Sequence, residues 1–232
     1  MFLFDLFNKN NAIFKAVKSN DVAKLQECIQ QGISVNYAKN NGMTPLMYAA
    51  KIGNLQMVQH LLGIGADANR MNKNNVNALA YAATNGHLAI VEYLAPKTAD
   101  LNTAMWKAIC NDHVAIAGYL INNGINVNTF VQPHQVTFLH KACEHGNLEI
   151  VKLLIEAGAD INIPSKEQNE YTGATPLMYA ISFLSGDIVE YLVEKGADVN
   201  AKADGVSVLE WAETDPETEP IADYLKSKGA TY

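Results

Sequence analysis

"GMTPLMYAAKIGNLQMVQHLLGIGADAN", Gly42 to Asn69, holds the plan of the fold in 28 residues. Thr44 can cap a helix through its side-chain oxygen. Pro45 then sits at the first helical position, where a missing amide hydrogen costs nothing. Leu46, Ala49 and Ala50 recur at helical spacing, and the alanines let a neighbouring helix come close. Gly53 breaks the chain for a tight reversal. Leu55, Val58, Leu61 and Leu62 give a second helix its apolar stripe, and Gly65 supplies the left-handed residue that ends it. Asp67 and Asn69 suit the turn into a projecting loop. One such helix pair cannot bury its apolar face alone, so the stretch demands neighbours of its own kind.

The neighbours are present. "NVNALAYAATNGHLAIVEYLAPKTADLN" (Asn75 to Asn102) repeats the pattern 33 positions on, pairing Leu46 with Leu79, Ala49 with Ala82, Gly53 with Gly86, Val58 with Val91 and Asp67 with Asp100. It returns from Val136 to Asn162 and from Gly173 to Asn200, and its apolar skeleton alone from Asn11 to Asn36 and from Gly205 to Ala230. A period near 33, with T-P-L-x-x-A-A, then G-x-L-x-x-V-x-x-L-L, then G-A-D-x-N, resembles the ankyrin repeat. The resemblance spans Asn11 to Ala230. It implies an all-α solenoid of stacked helix-turn-helix units with projecting hairpin loops, about seven units including caps. These are expected near 11–38, 39–71, 72–102, 103–130, 131–164, 165–202 and 203–232, behind a capping segment at 1–10.

Two stretches depart from the pattern. "DLNTAMWKAICNDHVAIAGYL" (Asp100 to Leu120) resembles a reactive cluster when read alone. In register, Thr103 falls in the capping slot, Met105 in the leucine slot and Ala108 in the first alanine slot. His113 matches His87, Leu120 matches Leu94 and Gly124 closes the unit. Asn102 and Asn128 are 26 positions apart, so the fourth unit lacks about seven residues, those of its finger. A notch is expected there, with Trp106 beside it. The second departure, "IPSKEQNEYTG" (Ile163 to Gly173), carries about five extra residues. It reads equally as a neutral insertion, cheap in loop entropy, or as a longer finger.

Composition narrows the function. The 232 residues are 49% apolar, with a net charge of -7 and a pI near 5.3. No Lys/Arg cluster suits nucleic acid or an anionic membrane surface. No apolar run approaches the roughly 20 residues of a membrane helix. "MFLFDLFNKN" has no positive charge ahead of its apolar run, which argues for a helical cap over an export signal. Three separated cysteines fit reduced, cytosolic thiols.

Chemistry finds little footing. Repeat register accounts for most of the histidines, and His140 falls in the fourth slot of "TFLH", where the family often bonds the loop. No zinc spacing occurs. Asp67, Asp100, Asp160 and Asp198 form a row, but copies roughly 8–10 Å apart are too distant to share a metal. Turn stabilisation is the simpler role. Cys28 and Cys143 align with buried helix positions. Cys110 aligns with Lys51, Thr84, Glu144 and Ser182, facing the groove, with His113 across the turn. A Cys110–His113 enzyme is the competing class, and nothing orients that histidine. No cofactor, metal or catalytic residue is assigned.

The resemblance implies a non-enzymatic protein-interaction module. Its partner surface, carried over by register, comprises finger tips and exposed inner-helix positions. The second unit contributes Asn40, Asn41, Met43, Lys51 and Ile52, and the third Lys73, Asn74, Val76, Thr84 and Asn85. Trp106 and Cys110 come from the fourth, Gln132, Gln135, Glu144 and His145 from the fifth, and Tyr171, Thr172, Ser182 and Phe183 from the sixth. Met43, Ile52, Tyr171 and Phe183 are apolar or aromatic where solvent is expected. The expected partner is a protein, and the free chain a monomer. Frequent Asn and a compact single-module chain point to a bacterial source. The role is a cytosolic inhibitor such as an immunity protein, or alternatively a secreted effector that engages host proteins.

Overall fold

The computed structural model describes residues 11–167 and 171–232. The segment expected to cap the first helix pair lies outside the described residues. Among the described residues, seven pairs of helices follow one another. They are α1 (residues 11–18) with α2 (Val22–Gln30), α3 (Pro45–Lys51) with α4 (Leu55–Gly63), α5 (Ala78–Thr84) with α6 (Leu88–Leu94), and α7 (Asn102–Cys110) with α8 (Val114–Asn122). After them come α9 (Phe138–His145) with α10 (Leu148–Glu156), α11 (Pro176–Ser182) with α12 (Gly186–Glu194), and α13 (Val208–Ala212) with α14 (Glu219–Ser227). The chain divides into two compact units after Ile116, inside α8. In the first, α3 packs on α5 and α5 on α7; in the second, α9 packs on α11 and α11 on α13.

Local chemistry sets each pair. Thr44 Oγ1 accepts the Met47 amide at 3.2 Å, and Asn77 Oδ1 accepts the Ala80 amide at 2.8 Å, so both residues cap their helices. Ser207 and Glu210 form a reciprocal capping box on α13. Second helices are capped by Asn54 and Asn147 in the same way. Leu46, Ala49, Ala50, Val58 and Leu61 are buried, as their spacing implies, while Leu55 and Leu62 lie half-buried at the edge of the stripe.

The left-handed position between helices is occupied by Gly53 (φ 79°) and Gly86 (φ 74°) in the first unit. A Cβ on Gly53 would lie 2.7 Å from the His87 ring, and one on Gly86 would lie 2.8 Å from the His113 ring. Each histidine therefore packs on the preceding turn, and its Nε2 bonds the carbonyl of Lys51 (3.1 Å) or Thr84 (3.2 Å). Gly53→Ala should cost about 1–3 kcal/mol, since it forces a side chain into the left-handed region and displaces the ring. A denaturant midpoint unchanged by the substitution would contradict this packing.

The fingers are simpler than hairpins. Among the described residues, regular strand pairing is confined to β1 (Lys202–Ala203) with β2 (Val206–Ser207). Elsewhere a backbone bond closes the base of the finger, Lys39 to Met43 at 3.0 Å, Asn72 to Val76 at 3.1 Å and Val131 to Val136 at 2.9 Å, with a turn bond inside it from Gly42 to Lys39, Asn75 to Asn72 and Gln135 to Val131. Neighbouring tips are then tied together, Lys73 N–H donating to Asn41 (3.1 Å) and Lys166 N–H to Gln135 (2.9 Å).

An asparagine ladder stitches successive repeats. Asn162 Oδ1 accepts the Asp198 amide at 2.8 Å while its Nδ2 donates to the Gly196 carbonyl at 3.4 Å. Asn36 bonds Asp67 and Gly65, Asn128 bonds Asp160 and Gly158, and Asn200 bonds Thr231 and Gly229 in the same fashion. The aspartates make Asx turns, Asp67, Asp160 and Asp198 each accepting the amide two residues on. Asn162→Ala should cost about 1 kcal/mol, read as a shift in unfolding midpoint at unchanged m value. A neutral result would mean that water replaces the bond without loss.

The fourth pair corrects two expectations. Helix α7 begins at Asn102, two residues before the position that a Thr103 cap would give. Asp100 accepts the Asn102 amide at 2.9 Å, as the aspartates that open fingers accept theirs, and in addition the Thr103 hydroxyl at 2.7 Å in the first turn of α7. The finger is gone because its turn has become the start of a helix. Trp106 does not line a notch: on α7 it is buried, at 9% exposure.

Candidate functional site

Each unit has its own exposed face. In the first, Asn40, Asn41, Lys73 and Asn74 are exposed at two adjoining finger tips. Asn41 Oδ1 accepts the Met43 amide at 3.1 Å, and Asn72 Oδ1 accepts the amides of Asn74 and Val76. Asn72 Nδ2 also donates to the Tyr81 hydroxyl at 2.9 Å, which anchors the finger to α5. Thr84 and Cys110 are half-buried at matching positions of α5 and α7; Lys51 and Asn85 are exposed. Ile52 caps the end of α3 at 39% exposure. Met43 is the second correction among the expected partner residues, after Trp106. At 8% exposure it fills the base of its finger, so neither it nor Trp106 offers surface to a partner.

In the second unit, Gln132 is exposed and Gln135 half-buried, with Gln135 Nε2 donating to Gln132 Oε1 at 3.0 Å. Glu144 meets Lys141 at 2.6 Å, and His145 is exposed at the end of α9. Ser182 Oγ accepts the Trp211 indole N–H at 2.8 Å, and Phe183, 45% exposed, follows it. Tyr171 stands between Tyr179 (ring centroids 4.9 Å apart) and Trp211 (5.9 Å). The Tyr179 hydroxyl donates to Glu167 at 2.6 Å. Burial, then that bond, pushes the Tyr179 phenol up. The flanks of the insertion are tied down: Ser165 and Ala174 are backbone-bonded, and Thr172 Oγ1 donates to the Glu167 carbonyl at 2.9 Å. Residues 168–170 lie outside the described residues.

The sequence reading missed a column of aromatics. Tyr48, Tyr81, Tyr179 and Trp211 occupy one register position of the first helix in four repeats, with Lys107 and Lys141 in two others. Aligning the repeats on Leu46, Leu79, Leu177 and Leu209 exposes it. Leu184, at 46% exposure, was also missed; it takes the left-handed turn position with φ 57°, where Gly53, Gly86 and Gly146 stand in three other repeats and Asn20 and Asp112 in two.

Cys28 and Cys143 are buried core thiols, and burial pushes both pKa values up, which suppresses the thiolate. The His113 ring is committed to the Thr84 carbonyl and packed on Gly86, a structural duty shared with His87. Among the described residues, no three His, Cys, Asp or Glu side chains come together in a metal-binding group, and no helix is long and apolar enough to cross a membrane. What the faces offer is a fixed display of finger tips, exposed apolar side chains and aromatic rings.

Comparison with known proteins agrees. A family model for ankyrin repeats in sets of three matches residues 3–72, 47–131, 79–165 and 131–203. The putative ankyrin repeat protein FPV031 of fowlpox virus is 29% identical over 185 residues, covering 78% of this chain and 46% of its own length. The chain thus spans about half of that relative. The human ASB11 ankyrin repeat domain superposes with a TM-score of 0.77 at 23% identity, covering 95% of this chain and 98% of that one. The ankyrin repeat domain of Bcl-3 gives 0.75 at 21%, covering 86% and 92%. These relatives lend no support to a bacterial source. Ankyrin repeat domains are general protein-protein interaction modules, typically non-enzymatic. By the match of its repeats over most of its length, the chain belongs to the ankyrin-repeat family.

Proposed function

We propose that this protein is a non-enzymatic recognition module that docks a folded protein partner on its inner-helix faces and finger tips. The observation that carries it is the pair Ile52 and Phe183. Both stand at the residue that ends the first helix of a repeat, and both are exposed, at 39% and 45%. An apolar side chain left this exposed in that slot supplies area to a partner.

The tied finger tips favour rigid docking. Bonds from Lys73 to Asn41 and from Lys166 to Gln135 fix the tips before binding, which lowers the entropy lost on association. A preorganised, non-reactive surface suits an inhibitor that covers its partner's working surface, and we read the free chain as a cytoplasmic monomer. Ile52→Asp, Thr84→Asp and Phe183→Asp should each abolish capture of the native partner while leaving the thermal melt unchanged. Capture that survives all three would refute the assigned faces. A captured enzyme that keeps full activity when saturated with this protein would refute inhibition alone.

A further inference from the structure

Charge is divided unevenly along the chain. Residues 1–116 carry 10 Lys and Arg against 7 Asp and Glu, and residues 117–232 carry 7 against 17. Net charges of +3 and −10 therefore make up the total of −7. The second unit sets up a strongly negative field. Within that field lies an aromatic surface. The Trp211 indole N–H is fixed to Ser182 at 2.8 Å, and Trp211 and Tyr171 stand half-buried with their rings 5.9 Å apart and tilted by 55°. Phe183 adjoins Ser182 and is 45% exposed.

We propose that this surface of the second unit docks a basic patch of the protein partner, with Arg or Lys side chains laid against Trp211 and Tyr171 and apolar stems against Phe183. The proposal rests on the recognition reading above and names the partner's chemistry. Two physical effects act together. A field of one sign raises the encounter rate of an oppositely charged partner and repels acidic ones. Aromatic faces then hold a cation at short range, tryptophan best of all. The chain already uses this chemistry internally: Lys166 Nζ sits 3.9 Å from the Phe130 ring centroid, in the same unit.

The test uses the full chain and a labelled alternating arginine–serine peptide, with its glutamate–serine counterpart as control. The arginine peptide should bind and the glutamate peptide should not. Binding should weaken as salt rises from about 0.01 to about 0.15 M, where the screening length falls from about 30 to about 8 Å. Trp211→Leu should weaken it about tenfold. Phe183→Ser, at an exposed site that does not threaten folding, should weaken it too. A triple Glu156→Gln, Glu190→Gln, Glu194→Gln variant removes three negative charges from exposed positions of α10 and α12 and should weaken it less than Trp211→Leu does. If the triple variant loses as much as Trp211→Leu, the attraction is diffuse and the proposed surface is refuted. Equal binding of the glutamate peptide refutes it as well. The native partner separates this proposal from the reading beneath it. Capture lost in Ile52→Asp and Phe183→Asp, yet indifferent to salt and to Trp211→Leu, overturns basic docking and leaves recognition standing.

Discussion

Trp106→Ala will destabilise the protein by about 3–5 kcal/mol, the usual cost of emptying a large aromatic site in a packed interior. Trp106 lies on α7 at 9% exposure, flanked by Ala104, Met105, Ala108 and Ile109, all buried. Removing the indole leaves a cavity that a short helix cannot close by collapse. Urea unfolding should show the midpoint falling at nearly constant slope, and Trp106→Phe should recover much of the loss. Partner affinity, corrected for the folded fraction, should be unchanged, because a buried side chain offers no contact. A variant of wild-type stability with weakened binding would restore the partner-facing role that the sequence suggested for this residue.

That reversal at Trp106 bears on how far sequence reasoning reaches. The period of 33 residues, the Thr-Pro helix starts and the glycine turns were legible because each follows from local backbone chemistry. Placing Ile52 and Phe183 at exposed helix ends needed only register. The missing finger was legible as a spacing of 26 residues, but its consequence was not. Asp100 could open a turn or start a helix, and only the packed chain shows that its turn leads straight into α7. The burial of Trp106 was legible after all, since it shares its register slot with Met47, Ala80, His140 and Met178, all buried. Met43 was the harder case. Its register position faces solvent in outline, yet the bond from Lys39 to the Met43 carbonyl folds the finger base over it. The asparagine ladder was half legible. Asn69, Asn162 and Asn200 were evident as turn residues, whereas their bonds to the next repeat join residues about 30 apart and leave no local trace.

The second large effect is a loss of stability in mild acid that depends on His140. This histidine is fully buried on α9. Its Nε2 donates to the Ala174 carbonyl at 3.2 Å, and its Nδ1 accepts the Thr137 amide at 3.3 Å. The neutral ring satisfies both bonds, and the Thr137 hydroxyl lies 2.8 Å from the same Nδ1. Burial holds its pKa down, from 6.5 to about 4. The unfolded chain takes up a proton near pH 6.5 and the folded chain only near pH 4, so unfolding binds a proton between those values. Stability is therefore intact above pH 6.5 and falls as pH drops toward 4, at up to about 1.4 kcal/mol per pH unit and about 3 kcal/mol in all. His140→Met isolates the effect, since Met47 and Met178 fill the same slot in other repeats and Met47 Sδ already accepts the Thr44 amide. Glu210 and Glu213, whose carboxyls are held below their ordinary range, contribute equally to both proteins and cancel in the difference. The stability gap between wild type and His140→Met should be constant above pH 6.5 and shift by about 3 kcal/mol in favour of the variant by pH 4. A gap independent of pH would show that the buried ring accepts its proton in place.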